Sequence, residues 1–296
     1  MSTPVQAPYR ALPTGSTPGL RKRKAVNGAV TVLLTLVMAA TLGVLLWVLA
    51  YVAAQGLKYL GPEFLTNTPP GDPSAPGGGF LNGIIGSLIV VGVATVIAVP
   101  VGVLAAIYMG EFGGRFARVA AFLTDVLVGI PTIVTGAFVY ALWVTHFGFS
   151  GFAGSLALAI VMLPLVIRTT LEMLRLVPSA LREASLALGT SRARTITRIV
   201  LPTARAGITT GVMLAVARAL GETAPLLLTT LGNDLFVETN PTKRMSTLSL
   251  QIFGNAISGF KAGQARAWAG ALTLVAMVLI FTAVARLLGR RGAVRA

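Results

Sequence analysis

The chain of 296 residues is 55% hydrophobic and only 11% charged. Soluble domains carry about 25% charged residues, so this composition excludes an ordinary soluble enzyme or binding domain and indicates an integral membrane protein. The net charge of +15 comes without a basic stripe interleaved with aromatic residues, so no nucleic-acid partner is expected. With no cysteine and a single histidine, the chain offers neither disulfides nor a catalytic metal site.

Long apolar runs predict an all-α membrane protein with six transmembrane helices, because one span needs about 20 apolar residues. In chain order, we expect a disordered basic tail at 1–24, a first transmembrane helix at 25–57 and an outer linker at 58–79. Proline and glycine fill that linker, so no regular structure is expected in it. The remaining spans are predicted near 80–109, 117–145, 152–175, 206–231 and 266–288, followed by a basic tail at 289–296.

The basic residues set the orientation of these spans. With both termini in the cytoplasm, eighteen of the 24 basic residues belong to the cytoplasmic side and five to the outer side, while Arg218 lies in mid-membrane. This bias predicts cytoplasmic N- and C-termini. It also accounts for the net charge, and it predicts a multi-pass protein of the bacterial cytoplasmic membrane.

The segment 176–205, between the fourth and fifth spans, is too charged to lie in lipid. It carries five arginines, namely Arg182, Arg192, Arg194, Arg198 and Arg205. A helix-turn-helix on the cytoplasmic side of a membrane protein needs something to bind, so we expect a cytoplasmic partner. Gly189 is placed at the turn, where a residue after a helix often needs a positive φ.

Charged residues within the spans are functional candidates, since each costs roughly 2.5–3.5 kcal/mol at a helix centre. Asp125 lies seven residues beyond Arg118 in the third span, and Arg168 lies seven residues before Arg175 in the fourth. At 1.5 Å per residue both are about 10 Å deep, which predicts a buried Asp125–Arg168 ion pair. Two roles stay open for this pair: a clamp between spans, or part of an anion path.

Arg218 lies thirteen residues beyond Arg205, about 20 Å into the fifth span. Glu222 follows at i+4 on the same helical face, where opposite charges pair. Pro225 removes a helix hydrogen bond and predicts a kink beside the pair. A guanidinium held by a carboxylate suits an anion that must bind weakly and leave, whereas full neutralisation suits a purely structural pair.

Outside these segments the sequence predicts little chemistry. In the outer stretch 232–265, residues 245–253 predict a short amphipathic helix that packs on the bundle, contacts an outer binding protein, or does both. The G-x-x-x-x-G-K-[ST] nucleotide motif is absent, and nothing resembles a nucleophile with its base, so no catalytic residues are expected.

The loop carries a pattern that resembles the E-A-A-x3-G-x9-I-x-L-P loop of ABC importer permeases. Its fixed positions are Glu183, Ala184, Ser185, Gly189, Ile199, Leu201 and Pro202, and only Ser185 departs, replacing alanine with another small residue. Four further strings accompany it: G-F-L-N-G-I-I-G-S at 79–87, I-P-T-I-V-T-G at 130–136, M-L-P-L-V-I-R-T-T at 162–170 and R-A-L-G-E-T-A-P at 218–225. Together they resemble the PstA-type permeases of phosphate ABC importers, over roughly residues 80–288.

The resemblance implies a type I ABC importer permease fold and a transporter subunit that is not itself an enzyme. Its implied partners are a PstC-like second permease, two ATPase subunits that bind the ATP, and an extracytoplasmic phosphate-binding protein; no cofactor is expected in this chain. It assigns the coupling role to Glu183, Ala184, Gly189 and Pro202, and the translocation path to Arg168 and Arg218 with Glu222 as partner. Closure of the ATPase dimer is then expected to move the loop as a rigid body and reorient the spans.

Two alternatives remain. The substrate could be another oxyanion, such as molybdate or sulfate, because selectivity depends largely on the binding protein. A passive anion channel is disfavoured, because a pore needs no cytoplasmic docking loop.

Overall fold

A computed structural model describes the backbone of residues 18–293 and the side chains of residues 19–284. All regular secondary structure in these residues is helical. The helices are α1 (Pro18–Gly56), α2 (Pro62–Thr66), α3 (Leu81–Ile107), α4 (Gly114–Gly129), α5 (Thr132–Val139), α6 (Thr145–Phe147), α7 (Gly151–Arg175), α8 (Ser179–Ala187), α9 (Arg192–Thr195), α10 (Leu201–Gly221), α11 (Ala224–Leu227), α12 (Leu248–Ala256) and α13 (Lys261–Ala293). Three π-helical turns, Tyr108–Phe112, Tyr140–Val144 and Ile196–Val200, continue α3, α5 and α9.

The chain divides into two compact units, Met1–Tyr51 and Val52–Ala296. The described part of the first unit belongs to α1, which is long and apolar enough to cross a membrane. Of the predicted disordered tail, residues 18–24 belong to this helix, so that part of the prediction is wrong. Residues 1–17 lie outside the described part of the chain.

The helices long and apolar enough to cross a membrane number five among the described residues. They are Gly19–Gly56, Leu81–Phe112, Gly151–Arg175, Arg192–Gly221 and Lys261–Val284. A bent pair, Gly114–Gly129 with Thr132–Phe147, makes a sixth if it is counted as one span.

The core of the second unit forms mainly where α3 packs on α7 and α7 packs on α10. Small residues permit this close packing: a Cβ on Gly102 of α3 would lie 2.7 Å from Val166 Cγ1, and one on Gly211 of α10 would overlap Thr169. Membrane helices associate through such small residues, because lipid provides no hydrophobic drive between them. The deepest apolar side chains of this core include Val90, Ala94, Leu158, Val166 and Leu220.

The third predicted span, 117–145, is not one straight helix. α4 and the helix that starts with α5 meet at an angle of 106°. The cause is local, because the residue before a proline is disfavoured in the α region. Ile130 is extended (φ −75°, ψ 126°), and Pro131 follows it at φ −58°, ψ 135°.

The fifth predicted span, 206–231, differs at both ends. The helix starts inside the predicted loop and runs without a break from Arg192 to Gly221. It then stops at Glu222, which is extended (φ −72°, ψ 130°), and the short α11 follows. We expected a kink at Pro225 within a continuous helix. Instead the helix ends at Gly221, about ten residues before the predicted end of the span at 231. Helix α13 likewise extends to Ala293, which includes most of the predicted basic tail 289–296; residues 294–296 lie outside the described part of the chain.

The predicted linker 58–79 contains one short helix, α2, which was not expected. Phe64 of α2 is buried and its ring lies 5.1 Å from that of Phe80. Arg266 of α13 donates to the carbonyls of Pro73 at 2.8 Å and Ala75 at 2.7 Å, which fixes the rest of the linker.

Within that linker, a local turn is closed by one carboxylate. Asp72 accepts hydrogen bonds from the hydroxyl and the backbone N–H of Ser74, and these bonds lower the pKa of the Asp72 carboxyl.

The segment 232–265 folds back on the bundle through a polar network whose members are mostly buried, with Asp234 at its exposed edge. Gln251 of α12 donates to Asn82 at 2.9 Å and to Asp234 at 2.8 Å, and Ser246 also donates to Asp234. The backbone N–H of Leu248 donates to the Ser87 hydroxyl of α3. The helix predicted at 245–253 is observed as α12, which begins at Leu248 and packs against α3 and α13.

Candidate functional site

A cavity of about 140 Å³ opens at the break of the third span. Arg168 of α7 and Arg218 of α10 both line it, so two arginines from different spans share one site. Ile130 and Thr132 lie on either side of the helix break, and Thr132 and Thr135 of α5 are the other polar side chains of a lining that is otherwise apolar. The cavity thus lies where the third span changes direction, beside one arginine from each of two other spans.

Arg168 is paired with an acidic residue of the neighbouring span. Its Nη2 donates to Asp125 Oδ1 at 2.6 Å, which joins α7 to α4. The pair differs from the expected buried one, because the two side chains are 50% and 67% exposed. Within this chain alone, the Asp125–Arg168 ion pair is therefore not buried as the sequence predicted.

Arg218 is paired with the residue that ends its helix. Its Nε lies 3.3 Å from Glu222 Oε1, although Glu222 has left the helix. The Arg218 side chain is 57% exposed and that of Glu222 only 15%. Ser249 of α12 donates to the Glu222 carbonyl at 2.8 Å, so the outer segment fixes the backbone at this pair.

The helices that carry the cavity are held together by backbone contact. A Cβ placed on Gly136 of α5 would lie 2.6 Å from Pro225 Cα and 2.8 Å from Pro225 O. Glycine is therefore required at 136 for α5 to approach α11 so closely. This contact brings the strings 130–136 and 218–225 together in space.

The predicted cytoplasmic loop, 176–205, consists of a short helix, α8, and a turn leading into the long helix that starts at Arg192. Gly189 in the turn has φ 75°, a conformation that favours glycine. Ser185 is buried, and its hydroxyl lies 2.8 Å from the hydroxyl of Thr195. The one departure from the loop pattern therefore adds a hydrogen bond between α8 and α9, which an alanine would not make.

Much of the surface of α8 is exposed. Glu183 and Ala184 are exposed, and so are the apolar side chains of Leu181, Leu186 and Leu188. Leu188 is 86% exposed. An exposed apolar surface rimmed by charge is typical of a protein docking site.

The second half of the loop pattern lies on the long helix. Ile199, Leu201 and Pro202 are half-buried, and Leu201 packs against a small core formed by Leu174, Val177, Val200 and Ala204. These four buried residues were not singled out from the sequence, although their apolar character at helical spacing was visible. Glu111, which contacts the loop, was also missed, because no local pattern connects it with residues seventy positions away.

A metal site is not evident. Within residues 18–293, no group of three or more His, Cys, Asp or Glu side chains could hold a metal ion.

The sequence of the chain was compared with known proteins. A family model described as "Binding-protein-dependent transport system inner membrane component" matches residues 98–293. The chain is 42% identical over 248 residues to the phosphate transport system permease protein PstA of Yersinia pestis, covering 82% of this chain and 83% of that protein. The chain belongs to the PstA family of permeases. The Mycobacterium leprae member is 39% identical over 283 residues, covering 91% of both chains.

Solved structures show the same fold. A bacterial alginate ABC transporter in complex with its periplasmic protein aligns with a TM-score of 0.62 at 17% identity, covering 92% of this chain and 97% of that chain. The MetNI methionine ABC transporter aligns with a TM-score of 0.53 at 18% identity, covering 71% and 91%. The predicted ABC importer permease fold is thus confirmed, and this PstA-family chain is a multi-pass permease subunit of the inner membrane rather than an enzyme.

Proposed function

We propose that this chain is the permease subunit of an ATP-driven importer of inorganic phosphate. In this proposal it forms half of the translocation path and couples to an ATPase through α8 and the following turn. The phosphate assignment is supported by the names of its relatives, and the anion path by the arginine-lined cavity.

One observation carries the proposal: Arg168 and Arg218, from different spans, meet at one cavity. The planar guanidinium group matches the oxygens of a tetrahedral oxyanion with two parallel hydrogen bonds. One water molecule needs about 10–15 Å³ of cavity volume measured in this way. A cavity of about 140 Å³ therefore has room for a small oxyanion with part of its hydration.

The two carboxylates adjust the strength of anion binding. Asp125 holds Arg168, and Glu222 holds Arg218, so neither guanidinium is fully available to the anion. An unpaired arginine in a low-dielectric site would bind phosphate tightly and release it slowly. Partly neutralised arginines keep the site anion-selective and still allow the anion to leave.

Exposure of these charges supports a second permease beside this one. Arg168, Asp125 and Arg218 are each half or more exposed on this chain. Charged side chains at membrane depth do not face lipid but a bundle interior or a water-filled cavity. A PstC-like partner would cover this face and leave the anion path between the two subunits.

The remaining partners follow from the two sides of the membrane. Two ATPase subunits would bind ATP and dock on α8 in the cytoplasm, the side on which the distribution of basic residues predicts both termini. A phosphate-binding protein would deliver the anion to the outer face. Closure of the ATPase pair would move the loop and turn the cavity from the outer to the inner side.

Reconstitution tests this function. The chain is assembled with its ATPase, second permease and binding protein in vesicles, and uptake of labelled phosphate is measured with and without ATP. We expect uptake that requires ATP and the binding protein and is not displaced by sulfate or molybdate. Uptake without ATP would identify a channel, and preferential uptake of molybdate or sulfate would refute the phosphate assignment.

Variants at 218 test the role of the cavity. Arg218→Lys keeps the charge but loses the planar fork, so uptake should be weakened, whereas Arg218→Gln should be close to inactive. Glu222→Gln should also impair uptake, by leaving Arg218 free to trap the anion. If the double variant Arg218→Gln with Glu222→Gln transports normally at equal expression, the pair is structural and the proposed path is wrong.

A further inference from the structure

Glu111 joins the cytoplasmic loop to the inner end of the second span. It lies in the π-helical turn that ends this span, and its side chain is only 8% exposed. Its Oε1 accepts from both Nε and Nη2 of Arg182, at 3.1 Å and 3.0 Å. Arg182 belongs to α8, directly before Glu183 of the docking surface.

Arg182 is itself fixed from a second direction. Its Nη1 donates to the Val177 carbonyl at 2.7 Å, and its Nη2 donates to the Leu174 carbonyl at 2.8 Å. The Leu174 carbonyl lies in the last turn of α7 and the Val177 carbonyl just beyond it, where carbonyls lack the usual partners within a helix. One guanidinium therefore joins α8, the end of α7 and Glu111, and charge-assisted bonds of this kind are stronger than neutral ones.

The same residue also holds the second helix of the loop. Arg192, at the start of α9, donates through Nη2 to the Glu111 carbonyl. Its guanidinium carbon lies 4.9 Å from the centre of the Phe112 ring, a cation–π contact. Both halves of the loop, α8 through Arg182 and α9 through Arg192, thus meet at Glu111.

The chain beyond Glu111 leads to the anion cavity. Gly113 and Gly114 follow at φ 68° and φ 89°, a conformation open to glycine, and α4 begins there. α4 carries Asp125, the partner of Arg168, and ends at the break beside the cavity. A displacement of Glu111 is therefore passed to α4 through two residues.

We propose that Glu111 is the positioning residue through which the cytoplasmic loop moves the third span. This inference rests on the proposed function, since it assigns the step between ATPase docking and the cavity. The Glu111 carboxylate does not touch the anion; it holds α8 to the start of α4 through Arg182 when the loop is displaced, while the Glu111 backbone carbonyl holds α9 through Arg192. Without it, the ATPase still docks and hydrolyses ATP, but the third span does not follow.

The test compares Glu111→Gln with a matched control, Glu172→Gln. Glu172 also pairs with an arginine near the same end of the bundle, Arg175 at 2.9 Å, but both of these side chains are more than 60% exposed. Phosphate transported per ATP hydrolysed is measured in the reconstituted complex. We expect Glu111→Gln to hydrolyse ATP while this ratio falls roughly tenfold, as loss of about 1.4 kcal/mol of coupling predicts, and Glu172→Gln to keep the wild-type ratio.

Several results would overturn the inference. An unchanged ratio in Glu111→Gln would do so, and so would an equal loss of hydrolysis and transport, which indicates a structural role only. If Glu111→Gln does not insert into the membrane, Glu111→Asp is tested instead, because it keeps the charge but shortens the side chain. A wild-type ratio of phosphate transported to ATP hydrolysed in Glu111→Asp would reject the proposal, and a reduced ratio would support it. Failure of the proposed function itself is distinct, because the wild-type complex would then show no ATP-driven phosphate uptake.

A distance measurement adds a readout that does not depend on transport. The chain has no cysteine, so single cysteines for spin labels can be introduced without removing others. Labels at Phe116→Cys on α4 and Ala180→Cys on α8, both exposed positions, report on the two helices that the Glu111–Arg182 pair connects. Their separation should stay constant on ATP binding in the wild type and change in Glu111→Gln; a separation that behaves alike in both would contradict the proposal.

Discussion

The contact between Gly136 and Pro225 allows one prediction to be worked out in detail. In Gly136→Ala the new Cβ would lie 2.6 Å from Pro225 Cα, whereas ordinary van der Waals contact begins at 3.4 Å. The two backbones must then separate by about 0.8 Å, the difference between these distances. Since the atoms met are backbone atoms, no side-chain rotation can relieve the overlap.

The magnitude follows from two opposing effects. Overpacking of this kind costs about 1–3 kcal/mol. Alanine gains back about 1 kcal/mol over glycine inside a helix. We expect a net loss of up to about 2 kcal/mol in the free energy of unfolding. Because α11 lies next to the Arg218–Glu222 pair, the shift should also weaken that contact, which is already 3.3 Å long.

The assay measures thermal unfolding of the complex in detergent and phosphate uptake in vesicles. Gly92→Ala in α3 is the matched control, because a Cβ there meets nothing within 4 Å. The control should be as stable as the wild type or slightly more so. The reasoning is refuted if Gly136→Ala keeps wild-type stability and uptake, or if Gly92→Ala loses as much.

Two further predictions concern the loop and the pair between α4 and α7. Glu183→Arg reverses a charge on the proposed docking surface, and Gly189→Val places a β-branched residue at φ 75°. Each variant should still insert into the membrane but lose ATPase co-purification and ATP-driven uptake. Normal uptake by both variants would reject the docking role. For Asp125 and Arg168, removing one charge should cost more stability than removing both once a second subunit covers them. Breaking a buried ion pair by removing one partner typically costs about 3–5 kcal/mol, because the other charge is left unpaired, whereas an exposed pair contributes only about 0–1 kcal/mol. The double variant Asp125→Asn with Arg168→Gln should therefore be more stable than either single variant in the assembled complex, whereas additive losses in thermal stability would show that the pair does not stay buried there.

The sequence predicted the parts of this molecule that depend on local pattern. Apolar runs located the membrane helices, and the loop pattern located α8 and the turn at Gly189. The depth argument placed Asp125 and Arg168 on neighbouring helices at matching height, and their side chains lie 2.6 Å apart. Each of these inferences uses only helical rise or the length of an apolar run.

The parts that were missed depend on breaks and on long-range contacts. Ile130-Pro131 contained a signal for a helix end, but it was overridden by the apolar run in which it lies. The end of α10 at Gly221 has no comparable local cause in hydropathy. Glu111 is paired with Arg182 at a separation of 71 residues, and no periodicity predicts such a partner.

The long helix that starts in the loop has a mechanical consequence. Arg192–Gly221 is one unbroken helix of 30 residues, so Arg192, which contacts Glu111, and Arg218, which we propose binds the anion, are two points on the same rod. They are about 39 Å apart along it, at 1.5 Å per residue. The rod is thus a lever arm: tilting it by about 5° about its inner end would displace Arg218 by about 3 Å, enough to break its hydrogen bonds to an anion without any change inside the helix.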